Sequence, residues 1–468
     1  MLEATPGCCQ LSDRHVIIHL RGVYDANIEV LSLQKKKYGH LPILEQTGVK
    51  GGSVTTITIP ASELPGQFVL QFKYRQKETD YPYPAPRNIY VGSQDVEMWT
   101  NPIFGNNPDS TWFSSEEQEN NRYAEFQKEN ALRRPKVNLL QLFLMQYDET
   151  DSKMYKTALK EYDNRRTAYN NWISESSKRC SSLYVGMLFQ FQHIPDIAFR
   201  GTEKERTQSL ISHFFEGISM KDEALAGTKE LNDWVTMYVN LNNGLYTNKP
   251  QADTMLVKAA KRLVEHAKNE AHPKVYGFLV DYFFNGFEGY NMMEGVKMLQ
   301  PFSADPKCMT SKRIEIERRI AGLATLKARS PAPEVALKDS AGIPFSLHAY
   351  RGSAPRKLLL FWSADCQHCM EMVKKLKSWH DSGKQQMVDI IAVSVDDTNT
   401  EVDKWKKTVK ELPGWLHLRA EGGINSKVAY DYAILATPYL YLISSGKNTI
   451  IGVPDDVQQL NAMMSDPY

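Results

Sequence analysis

The chain has 468 residues, 42% of them hydrophobic, and sets Lys+Arg 56 against Asp+Glu 55 for a formal charge of +1. At about 100–200 residues per domain this describes a modular globular protein with an apolar core in each domain. The near-balance of charge excludes the strong field that draws a chain to nucleic acid or an anionic membrane, so no nucleic-acid partner is expected, and no run reaches the roughly 18–20 apolar residues of a membrane span.

The opening stretch, Met1 to Cys9, has neither the basic start nor the apolar segment of a secretory signal. It reads as a cytoplasmic protein or as an envelope protein whose signal is absent from this sequence. Gly7-Cys8 has the small-residue-then-cysteine form of a bacterial lipoprotein cleavage site, although Pro6 fits that site poorly. Six cysteines are too few for a disulfide framework, so the folds must be held by their cores.

From about His15 to Trp99 short runs rich in β-branched and aromatic residues alternate with turn signals. His15 to Leu20, Ile28 to Leu33, Val54 to Ile59 and Gln67 to Phe72 read as strands, and Gly51-Gly52 and Pro65-Gly66 as turns between them. An N-terminal β-sandwich over residues 10–105 is expected. Residues 110–329 then switch to helical periodicity, giving a central α-helical domain. There Met255, Leu256, Ala259, Leu263 and Ala267 form one stripe, with Lys258, Lys261, Arg262 and Glu265 left for water. The aromatic run Tyr282 to Tyr290 reads as core rather than as a groove. His15/His19 and His266/His272 have ligand-like spacing but no supporting cluster, so no metal site is expected.

At Ser330-Pro331-Ala332-Pro333 two prolines end a helix and begin an extended segment, marking a third domain at 330–468. Its order is strand, strand, helix, strand, helix, strand, strand, helix, an α/β arrangement. Lys357 to Trp362 is a buried strand, Ser363-Ala364-Asp365 turns the chain, and a helix begins at Cys366 with Met372, Leu376 and Trp379 on one face. Cys366 thus falls at a helix N-terminus, where unpaired N–H groups and the helix dipole favour a thiolate below its usual pKa of about 8.5. Cys369, one turn on, is close enough for a disulfide and lies deeper. Cys366 is expected to attack and Cys369 to resolve, with the Cys366–Cys369 disulfide as the redox group and no other cofactor. Half a zinc site is the alternative for such a pair, but no second pair of suitable spacing exists. Cys180 and Cys308 read as buried thiols, or as bridged in an oxidising compartment.

The segment from Ser330 to Tyr468 resembles the TlpA/ResA branch of thioredoxin-like proteins, the envelope thiol:disulfide oxidoreductases of bacteria. Ala332-Pro333 through Leu347 resembles that branch's opening, and Leu360-Phe361-Trp362-Ser363-Ala364-Asp365-Cys366 its strand into the active site. Tyr430-Asp431-Tyr432-Ala433-Ile434 resembles its approach to a cis-proline loop at Thr437-Pro438. The resemblance implies disulfide exchange with client proteins in the periplasm or cell envelope, with Thr437, Pro438 and Trp362 meeting the substrate. It also implies a membrane electron donor as a further partner, while the front domains select clients or join subunits. Departures from the branch lie around the pair. Asp365 replaces a tryptophan, Met372 stands where a buried acid is usual, and Gln367-His368 replaces Glu-Pro or Pro-Pro. Asp365 opposes a thiolate, whereas His368 stabilises one and favours the reduced pair, so Asp365, Gln367 and His368 are the residues expected to tune the potential.

Two other readings compete. In one, the chain is a non-catalytic envelope binding or scaffold protein with a degenerate thioredoxin-like module. In the other it is a thiol peroxidase, for which Ser363 stands at the expected threonine and no arginine is marked.

Overall fold

The computed structural model describes residues 12–33, 42–104 and 107–465. Cys8 and Cys9, with the lipidation reading attached to them, lie outside the described residues. The chain divides into two compact units, Met1–Gly286 with Asp305–Ser311, and Phe287–Ala304 with Lys312–Tyr468.

The first unit begins with β1 (Arg14–Leu20), β2 (Asp25–Ser32), β3 (Leu44–Lys50), β4 (Val54–Ile59), β5 (Gly66–Arg75), β6 (Tyr83–Val91), β7 (Val96–Thr100) and β8 (Thr111–Phe113). They form two four-stranded sheets, ordered β4-β1-β7-β8 and β3-β2-β5-β6. Alternate residues of each strand point the same way, so Val16, Ile18 and Leu20 of β1 meet Ala26, Ile28 and Val30 of β2 and Phe68, Leu70 and Phe72 of β5 in one core. Each Val, Ile, Leu or Phe among them contributes about 1.5–3 kcal/mol by leaving water.

Helices follow: α1 (Glu119–Gln146), α2 (Lys153–Arg179), α3 (Tyr184–Leu188), α4 (Glu203–Ser212), α5 (Lys229–Asn243), α6 (Lys249–Glu270) and α7 (Pro273–Gly289). The α6 stripe is centred slightly to one side of the expected one. Ala259, Leu263 and Ala267 are buried together with Ala252, Ala260 and Val264, while Met255 and Leu256 sit at its margin. Val280, Phe283, Phe284 and Phe287 of the aromatic run are buried. His19 stacks on Trp99, with ring centroids 4.4 Å apart, and His266 on Phe215 at 4.8 Å. Among the described residues no group of three or more His, Cys, Asp or Glu side chains is gathered as a metal would require, and no helix is long and apolar enough to cross a membrane.

The second unit starts upstream of the two prolines, with α8 (Met293–Ser303) and α9 (Arg313–Thr325). Ile316 of α9 is fully buried, and Leu326, just past its end, enters the core that also holds Ala433 and Ile434. A seven-stranded sheet follows, made of β9 (Ala336–Asp339), β10 (Pro344–Ser346), β11 (Arg356–Trp362), β12 (Asp389–Ser394), β13 (Leu416–Arg419), β14 (Tyr439–Ser444) and β15 (Ile450–Gly452). Its order is β10-β9-β13-β12-β11-β14-β15. The strand β13 and the short helix α12 (Lys427–Asp431) have no counterpart in the sequence reading. At four and five residues they are too short to show a period. The remaining helices are α10 (Gln367–Asp381), α11 (Asn399–Val409) and α13 (Val457–Ser465).

The central strands β11 and β12 pair in parallel, and β11 pairs antiparallel with β14 on its other edge. Helices and loops cover both faces, which is why these strands read as continuous apolar runs. Leu359, Phe361, Ile391 and Val393 enter one core, while Leu358, Leu360, Trp362, Ile390 and Ala392 enter the other with Cys369, Val373 and Leu376 of α10. The two packed faces fix the C-terminal end of β11, where the cysteines lie.

Candidate functional site

At the end of β11 the chain leaves the sheet through Ser363, Ala364 and Asp365 and enters α10 at Cys366, which is its N-cap. Cys366 has extended backbone, φ −93° and ψ 116°, and its sulfur accepts the N–H of Cys369 at 3.2 Å. A sulfur in the capping position faces the unpaired amides at the positive end of the helix dipole. Cys366 is half-buried and Cys369 fully buried, and both are free thiols.

The peptide bond between Thr437 and Pro438 is cis. Although it is about seventy residues away in the chain, this loop meets both sulfurs: Cys366 Sγ lies 3.7 Å from the Thr437 carbonyl, and the Cys369 thiol donates to Thr437 Oγ1 at 3.3 Å. Burial, reinforced by the hydrogen bond with Cys366, pushes the Cys369 thiol up to about 12. Of the two sulfurs, that of Cys366 is partly accessible, whereas that of Cys369 is buried and holds its proton.

The other sequence candidates divide into those at the mouth and those beneath it. Asp365, Gln367 and His368 are exposed around the pair. Asp365 is ion-paired with Lys404 of α11, so its negative charge does not face Cys366 uncompensated. Gln367 reaches Glu371 at 3.4 Å, and His368 projects from the first turn of α10 into solvent. Trp362, expected to face the substrate, is instead fully buried in the core it shares with Cys369. Both faces of β11 are covered, and Trp362 lies with Leu358 and Leu360 on the face that packs against α10. Met372 is half-buried and Glu371 exposed, so neither places a carboxylate beneath the pair.

The residue that sequence reasoning missed is Asp396. It is 1% exposed, just past β12, and its carboxyl group accepts Ser363 Oγ at 2.6 Å, the Ala364 N–H at 3.0 Å and Ser394 Oγ at 2.8 Å. It therefore fixes the turn that precedes Cys366. The signal was the acidic pair Asp396-Asp397 closing an apolar strand at a domain's central sheet, a position where a carboxylate must find donors or stay in water. Ser363 is fully engaged by this contact and by the N–H of Asp365 at 3.1 Å. Elsewhere, Cys180 is a buried free thiol and Cys308 is buried.

A Cys-x-x-Cys pair capping a helix at the end of a central strand, faced by a cis-proline loop, defines a thioredoxin-like domain. Consistent with this geometry, residues 328–450 match the AhpC/TSA family, and the C-terminal region carries an AhpC/TSA thioredoxin-like domain. Solved structures similar to the chain include a domain of a possible thiol-disulfide isomerase from Cytophaga hutchinsonii, at 26% identity over 30% of this chain and 92% of that one, with a TM-score of 0.27. A thioredoxin-like protein from Bacteroides caccae is 18% identical over 58% of this chain and 96% of that one, with a TM-score of 0.38. The thioredoxin domain of a thiol-disulfide oxidoreductase from Bacteroides vulgatus is 23% identical over 29% and 93%, with a TM-score of 0.25. No curated protein matches the chain.

Proposed function

We propose that the chain is a thiol:disulfide oxidoreductase of the bacterial cell envelope, of the TlpA/ResA type, that exchanges disulfides with client proteins through Cys366 and Cys369. The observation that carries the reading is the meeting of both sulfurs with Thr437; in this reading an extended client pairs with the backbone of that loop beside Cys366.

In the reducing direction the Cys366 thiolate attacks a client disulfide, forming one mixed S–S bond and releasing one client sulfur, which takes a proton. Cys369 then loses its proton and attacks Cys366 Sγ. The mixed bond breaks, the second client sulfur leaves as a thiol, and the pair ends as the Cys366–Cys369 disulfide. Two electrons and two protons have passed to the client. Run backwards, the same steps oxidise a client dithiol, and an electron partner, in our reading a membrane donor, sets the direction. Asp365 with Lys404, Gln367 and His368 surround the attacking sulfur and tune its potential. The β-stranded and helical front parts select clients or join subunits.

Insulin reduction in the presence of a dithiol tests the reading. The wild-type chain is expected to accelerate it and Cys366→Ser to abolish the acceleration, whereas equal rates would leave a scaffold with a silent module. A potential of the pair near about −270 mV would mark a reductase and one near about −120 mV an oxidase.

A further inference from the structure

The helix α9 lies upstream of residues 328–450, yet it grips the loop that faces the cysteines. Arg319 is 3% exposed. Its guanidinium makes a forked pair with the Glu288 carboxylate, Nε to Oε1 at 2.8 Å and to Oε2 at 3.0 Å, and donates Nη1 to the Ala433 carbonyl at 2.7 Å. The same group sits 5.2 Å over the ring of Tyr439. Arg318 beside it donates to the Ile434 carbonyl at 2.9 Å and lies 4.9 Å over the ring of Tyr430.

These contacts bracket Thr437-Pro438. Ala433 and Ile434 precede the cis bond by a few residues, and Tyr439 follows it directly. Ala433 has φ +50°, a left-handed conformation that an alanine holds only when its surroundings impose it. Close approach supplies part of that constraint: a Cβ on Gly322 of α9 would come within 2.5 Å of the Ala433 Cβ. The buried arginine is stabilised by a full set of planar partners, a geometry a lysine cannot reproduce.

We propose that Arg319, with Arg318, is a positioning residue of the active site, holding the Thr437-Pro438 loop in the register at which a client polypeptide can lie along it beside Cys366. The helix α9 is thereby a working part of the redox unit. This inference rests on the oxidoreductase reading and adds to it a requirement that a small disulfide, which needs only the sulfur, does not share.

The test compares full-length wild type with Arg319→Lys, which keeps the charge opposite Glu288, with Gly322→Ala, which pushes on Ala433 directly, and with the paired change Arg319→Gln, Glu288→Gln. Each is assayed with insulin and with the small aryl disulfide 5,5′-dithiobis(2-nitrobenzoate). For Arg319→Lys and Gly322→Ala the expected result is a loss of about tenfold in kcat/KM with insulin, carried mainly by KM, and a change within about twofold with the aryl disulfide. Equal losses with both substrates, or no loss with either, would overturn the positioning role while leaving the oxidoreductase reading intact. A wild-type chain inactive on insulin would overturn that reading and this inference with it. The paired variant should show the same selective loss with insulin, and wild-type kcat/KM with insulin in that variant would overturn the positioning role.

Discussion

At the residue scale, two sulfurs three positions apart lie in very different surroundings. The Cys369 thiol is pushed up to about 12 by burial and by its bond with Cys366. At pH 7 to 9 iodoacetamide should therefore label the reduced chain at Cys366 and spare Cys369, as peptide mass mapping would read; equal labelling would contradict the assigned burial. The sign for stability follows from the same shift. The folded chain keeps this proton where an unfolded chain loses it, so the reduced protein should lose stability as pH rises above about 8.5 towards 12, and Cys369→Ser should flatten that part of the profile. Asp396 carries a structural share of the site. Removing its carboxyl group leaves two hydroxyls and the Ala364 N–H without their acceptor in a buried turn. Asp396→Ala should cost about 3 kcal/mol in urea denaturation, and a loss under about 1 kcal/mol would show that water replaces the carboxylate there.

At the scale of elements, β11 and α10 were legible in the sequence because each has a strong local signature. The former is an apolar run buried on both faces, and the latter an amphipathic helix opened by a cysteine cap. The pairing of that cap with Thr437-Pro438 was legible only through family resemblance, since nothing local joins residues so far apart. Trp362 was expected at the substrate only through the family resemblance, and it is buried because both faces of β11 are covered. The roles of Asp396 and of Arg318 and Arg319 were not legible for a related reason: their partners, Ser363 in one case and Ala433 and Ile434 in the other, come from distant segments and are chosen by packing. The helix α11 offers a prediction of its own, because its Lys404 offsets the Asp365 carboxylate next to Cys366. Lys404→Gln should leave that negative charge unbalanced beside the sulfur and slow alkylation of Cys366 at pH 7 severalfold at low salt. The effect should shrink in about 1 M salt, where the Debye length is about 3 Å. A rate unchanged at low salt would remove Lys404 from the site.

At the scale of the whole molecule, each compact unit has its own apolar core, the paired sheets of the first and the two-faced central sheet of the second. Cys366, Cys369 and Thr437 all belong to the second unit, which includes α8 and α9 as well as the thioredoxin-like sheet. With a formal charge of +1 the chain as a whole carries no strong long-range field. The central claim, that Cys366 attacks and Cys369 resolves, is tested most directly by trapping. Full-length Cys369→Ser and Cys366→Ser proteins are mixed with insulin, quenched in acid and analysed by mass. The account predicts a stable mixed disulfide on Cys366 in the Cys369→Ser protein and none in the Cys366→Ser protein; an adduct on Cys369, or none in either variant, would contradict it.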